Sequence, residues 1–111
     1  MVNARLMKIE RWNAEKDGVL SEQAMRRKLE QLGYQVTRYI YSPGTFFPSH
    51  THATDKIDAV LSGSFRISMG KDSIVLRAGD FIHVPRGAEH SAEVIGDAPV
   101  VSLDAVAVAK C

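Results

Sequence analysis

Apolar positions recur along this chain in two rhythms. Met25, Leu29 and Leu32 fall at spacings of four and three, which places them on one face of a helix. Ser21 supplies an N-cap hydroxyl for the first free backbone N–H. Glu22 sits in the first turn, and Glu22–Arg26 and Arg26–Glu30 stand at i,i+4. Gly33 offers the left-handed stop. The pattern predicts a helix over Ser21–Leu32, about 18 Å long at ~1.5 Å per residue. A helix so short is unstable alone, so its apolar face must pack on something. Before it, Leu6–Ile9 reads as a short strand anchored by Trp12, and Ala14–Gly18 as a polar loop.

From Tyr34 onward the helical period is gone. Short β-rich runs follow, at Tyr34–Tyr41, Ile57–Leu61, Phe65–Met69, Ser73–Arg77, Phe81–Val84, Ser91–Ile95 and Val100–Val108. Turn signals such as Ser42-Pro43-Gly44, Ser62-Gly63 and Pro85-Arg86-Gly87 separate them. Many short strands so punctuated predict an all-β sandwich or barrel. Phe65, Ile67 and Met69 alternate with Arg66 and Ser68, which gives that strand one wet face. The run at Ile57 is different. Ile57, Ala59 and Leu61 form one face, while the other carries Lys56, Asp58 and Val60. Two charges on a strand flanked by core strands point to a pocket.

Composition narrows the classes. The chain has 111 residues, 45% hydrophobic and 24% charged, which fits one globular domain and not a disordered segment. Fourteen Lys and Arg against 13 Asp and Glu leave a net charge of +1. That balance provides no field for nucleic acid or anionic lipid. The single cysteine, Cys111, forms no internal disulfide and no thiolate zinc finger. No apolar leader follows Met1, and Ala98–Ala109, broken by Ser102 and Asp104, is too short to span a bilayer. The expectation is a cytoplasmic protein without nucleic-acid or membrane partners.

The candidate chemistry lies in the histidines. His50 and His52 stand at i and i+2, so on an extended strand they share a face with Cα atoms roughly 6.7 Å apart. Such a pair suits a transition metal. His90 follows a Pro-x-Gly turn, and a barrel could return it beside the pair. From spacing alone, two surface histidines near Pro48-Ser49 and an unrelated third are an equal reading. His83, on the strand Phe81–Val84, reads as a solvent-side or satisfied histidine.

Two stretches resemble the motifs of the cupin superfamily. Residues 44–63 are similar to G-(x)5-H-x-H-(x)3,4-E-(x)6-G, with Gly44, His50, His52 and Gly63 in place. Residues 79–90 are similar to G-(x)5-P-x-G-(x)2-H, with Gly79, Pro85, Gly87 and His90 in place. The resemblance implies a double-stranded β-helix, a jelly-roll barrel over residues 36–108. The N-terminal extension, residues 1–35, would carry the one short helix. It also implies a divalent metal, Fe, Mn, Ni or Zn, held by His50, His52 and His90.

The motif's glutamate falls on Lys56, and the asparagine that closes the second motif falls on Val94. An ammonium about 5 Å from a divalent cation is repelled by ~6–7 kcal/mol at an effective dielectric of roughly 20. Lys56 is therefore turned away or paired with Asp58, or it is neutral and a candidate catalytic base, or the site holds no metal, in that order of preference. Lys56 and Asp58 are the candidate catalytic residues. The leading expectation is a metal-binding cupin acting on a small molecule, as an oxygenase-type or Lewis-acid enzyme. The alternatives are a non-catalytic ligand-binding or sensor cupin in which Lys56 anchors an anion, and a degenerate metal-free cupin. A homodimer is expected, because the resemblance implies pairing through elements outside the barrel, here the helix Ser21–Leu32 and the strand around Ile9, and because the Ile57/Ala59/Leu61 face needs cover.

Overall fold

The computed structural model describes residues 7–108. Among these residues, nine strands and two helices follow in the order β1 (Lys8–Arg11), α1 (Ala14–Asp17), α2 (Glu22–Gln31), β2 (Tyr34–Tyr41), β3 (Phe46–His50), β4 (Lys56–Ser62), β5 (Ser64–Met69), β6 (Asp72–Leu76), β7 (Asp80–Val84), β8 (His90–Ile95) and β9 (Val100–Ala107). They form two antiparallel sheets, ordered β1-β7-β4-β9-β2 and β3-β8-β5-β6. The architecture is the all-β double-stranded β-helix that the motifs imply.

Alternation along β4 sends its two faces to two different cores. Val60 packs between the sheets with Phe65, Ile67, Met69, Leu76, Ile82, Val84 and Val94. Ile57 and Ala59 point the other way, onto Met25 and Leu29 of α2, with Phe81, Leu103 and Ala105 alongside. The face that argued for a two-fold partner is thus covered by the chain's own helix, and that argument for a homodimer falls away. Burying Met25 and Leu29 completely supplies what this short helix lacks in isolation.

Several local expectations change. Ser21 caps α2 by accepting from the Ala24 N–H, but Leu32 is the C-cap and 51% exposed, past the turn that faces the sheet. Arg26 pairs with Glu22 and donates to the Val36 carbonyl, which places its side chain toward β2. The loop expected at Ala14–Gly18 contains the helical turn α1, because Asn13 Oδ1 accepts from the N–H groups of Glu15 and Lys16. Strand β3 lay outside the expected runs because Pro48 interrupts its pattern. It is an edge strand with an irregular register between Phe47 and His50, where a missing N–H is tolerated. The expected N-terminal strand starts at Lys8, with Leu6 outside the described residues. Cys111 also lies outside them.

Gly63 shows why a motif position must be glycine. Its φ is +87°, and a Cβ there would meet the Pro99 carbonyl oxygen at 2.4 Å. The chain turns from β4 into β5 directly against the loop that leads into β9.

Candidate functional site

Register brings the histidines together. His50, at the end of β3, is the cross-strand partner of His90, at the start of β8. His52 lies beyond the end of β3, so the i, i+2 pair does not share one strand. The Pro85-Arg86-Gly87 turn holds it instead. Gly87 N–H donates to the His52 carbonyl at 2.9 Å, and Arg86 N–H donates to Asp55 Oδ1 at 2.8 Å. The second motif's turn therefore fixes the first motif's loop. Ring centroids of the three imidazoles are 4.4–5.1 Å apart. Their ligand nitrogens all fall within 4.8 Å of one another.

The hydrogen bonds select the free nitrogens. His50 Nδ1 lies 2.6 Å from the Pro48 carbonyl, and His90 Nδ1 lies 3.0 Å from the Ala88 carbonyl. A carbonyl only accepts, so each Nδ1 carries a proton, and the tautomer this selects for a neutral ring has its lone pair on Nε2. His52 Nε2 is buried with no hydrogen-bond partner among the described residues. Burial, with the Lys56 ammonium second, holds the His52 pKa below its ordinary value. Burial also lowers His90, against the opposing pull of its bond to Ala88. Nδ1 anchored on His50 and His90, with an unpartnered Nε2 on His52, fits a metal, which requires an unprotonated nitrogen from each ring.

Across from them, the five-stranded sheet presents an ionic group. Lys56 Nζ donates to Asp58 Oδ1 at 2.8 Å and lies 3.8 Å from Asp104 Oδ2. Asp58 and Asp104 are direct cross-strand partners on β4 and β9. Tyr41 donates to Asp104 Oδ2 at 3.0 Å, and Ser102 to Asp104 Oδ1 at 2.8 Å. Burial pulls the Lys56 pKa down, but the Asp58 and Asp104 carboxylates outweigh it and leave the ammonium above its usual value. Burial and the facing Asp58 push Asp104 up, with Lys56, Ser102 and Tyr41 opposing. Burial drives the Tyr41 phenol far above its usual range, so it remains a donor.

Both groups line one cavity of about 160 Å³, whose remaining wall is Tyr41, Phe47, Phe65 and Ala92. Tyr41 stacks on Phe65 at 5.6 Å and meets Phe47 edge-on at 4.9 Å. Sequence reasoning found His50, His52, His90, Lys56 and Asp58 but passed over Asp104. Its signal was the Ser102/Asp104 alternation on an otherwise apolar strand. His83 is elsewhere, with Nε2 2.6 Å from Glu10. Arg66 is also outside the cavity and pairs with Glu93 at 3.2 Å.

The model of the cupin domain family matches residues 37–106. The chain is a cupin. No curated protein matches its sequence. Among solved structures, this cupin is similar to a putative mannose-6-phosphate isomerase from Ralstonia eutropha, at 31% identity and TM-score 0.61. That match covers 70% of this chain and 77% of the other. An uncharacterized conserved protein with a double-stranded β-helix domain from Klebsiella pneumoniae matches at 27% identity and TM-score 0.58, over 68% and 67%. The DMSP lyase DddQ from Ruegeria pomeroyi shares the fold at 23% identity and TM-score 0.61, over 68% of this chain and 39% of that one. No helix among the described residues is long and apolar enough to cross a membrane.

Proposed function

We propose that this cupin holds one divalent transition metal, Fe, Mn, Ni or Zn, through Nε2 of His50, His52 and His90 and acts on a small molecule in the adjoining cavity. The observation that carries this reading is the buried His52 Nε2, without a partner among the described residues, beside two imidazoles whose Nδ1 protons are already committed. Such a metal supplies Lewis acidity toward an oxygen or nitrogen of the substrate. The chain's own residues do the rest. Pro48 and Ala88 carbonyls hold two rings in one tautomer. Phe47 and Phe65 exclude water from one side of the cavity. Asp58 and Asp104 hold Lys56 charged and supply the counter-charge that offsets the repulsion expected at the glutamate position. A relative described as a lyase and another described as a putative isomerase support a small-molecule enzyme. The alternative in which Lys56 anchors an anion is weakened by its pairing.

Elemental analysis of protein purified without chelators tests the assignment. Stoichiometric metal is expected, with occupancy lost in His52→Ala while the fold persists by circular dichroism. A wild-type protein that neither carries nor takes up Fe, Mn, Ni or Zn overturns it, as does full occupancy in His52→Ala. A homodimer is proposed on a different ground from those first expected. Strand β2 is a sheet edge on which Tyr39 and Ile40 are 45% and 58% exposed.

A further inference from the structure

One cation faces two carboxyls in the cavity. Lys56, Asp58 and Asp104 line it from β4 and β9, opposite the histidines of the other sheet. With both acids ionised this group carries −1, and with one carboxyl protonated it is neutral. It turns positive only when both carboxyls are protonated. Its neighbours within the sheet add no compensating charge, because Tyr41 and Ser102 reach Asp104 as neutral hydroxyls, the adjoining strand β7 presents Ile82 beside Asp58, and β2 presents Thr37 beside Asp104. Asp58 Oδ1 is taken by Lys56, and no hydrogen bond from the described residues reaches Asp58 Oδ2. An anion entering here meets a lysine whose charge is already balanced. A cation meets surplus acceptor oxygen.

We infer that the Asp58–Asp104 wall binds the protonated-amine end of a small ligand, and that Lys56 is an internal counter-ion holding the wall in place. His52 Nε2, buried in the same cavity without a partner among the described residues, marks the second anchoring point, where a bound metal would take an electron-pair donor. Phe47 and Phe65 flank the span between the two. The ligand is thus bifunctional, with a cationic nitrogen at one end and a Lewis-basic group at the other. A cavity of about 160 Å³ suits a body near the size of benzene, since an engineered ~150 Å³ cavity accommodates that molecule. The inference rests on the cavity being a small-molecule site, but the acidic wall needs no metal.

The test compares n-butylammonium with butyrate, which match in size and differ in charge. Both are titrated into the full chain after chelator treatment, at low salt and pH 7, followed by NMR shift changes. Butylammonium should bind at least tenfold more tightly than butyrate. The preference should shrink at least threefold in Asp104→Asn, whose side chain keeps the shape and loses the charge. Tighter butyrate binding, loss of butyrate in Lys56→Met, no binding of either probe, or an unchanged preference in Asp104→Asn overturns the inference. Because the protein is stripped of metal, these outcomes are separate from metal uptake. A cupin that takes up metal yet prefers butyrate retains the metal reading and loses this one.

Discussion

His52 and Asp104 have opposite problems of burial. The imidazole is neutral when it works and is depressed by burial, so protons displace a bound metal only at acidic pH. The metal-loaded cupin should keep its ion at pH 6.5, the ordinary histidine value, and release it on further acidification. Dialysis across a pH series followed by elemental analysis checks this. Loss of metal already above pH 6.5 would contradict it. Asp104 is an acid whose pKa is raised, so the native state holds its proton more tightly than the unfolded chain does. Its contribution to stability is present below the ordinary value of 3.8 and is lost as pH rises through the raised one. At pH 7 the ionised form therefore costs stability. Asp104→Asn should melt higher than wild type at pH 7, on the order of a few °C. Its advantage should shrink toward pH 4. Calorimetry at both values reads the difference.

Elements set the position of these residues through their ends. Gly63 closes β4 and Gly44 precedes β3, so the two glycines bracket the first motif. Both have positive φ, +87° and +81°, but only Gly63 has backbone where a Cβ would go. Gly44→Ala should cost about 1–2 kcal/mol, the strain of a left-handed non-glycine residue. Gly63→Ala adds a 2.4 Å encounter with the Pro99 carbonyl oxygen and should cost more than that, by at least ~1 kcal/mol. Urea unfolding of the two variants ranks them, and equal losses would show that the loop before β9 yields freely. The Pro85-Arg86-Gly87 turn acts similarly at a distance. Its N–H groups reach His52 and Asp55, so the loop bearing one candidate ligand is shaped by the turn preceding another.

At the scale of the molecule, two sheets and one helix divide the chain's apolar surface into two cores. Helix α2 closes the outer one, so no partner is required there. Among the sheet edges, β2 exposes Tyr39 and Ile40. If two copies pair along it, Ile40→Lys should convert a dimer to a monomer, because a lysine on an edge strand opposes pairing. Light scattering with wild type and variant decides this. A wild-type monomer at high concentration ends the dimer proposal.

The sequence by itself determined an all-β sandwich or barrel, most strand positions, the capped helix and the inward charges of β4. Each of these follows from periodicity or turn chemistry within a few residues. The two motifs also pointed to His50, His52 and His90, though spacing could not show that residues 38 positions apart meet. Tertiary structure alone decided the rest. Strand pairing set His50 against His90, and a turn from elsewhere in the chain placed His52. Cross-strand register put Asp104 opposite Asp58 and so gave Lys56 a second counter-charge. No local pattern encodes that contact, because β4 and β9 are far apart in the chain and adjacent only in the sheet. The same distance hid the cover over Ile57 and Ala59, an apolar face that a local reading left open and α2 fills.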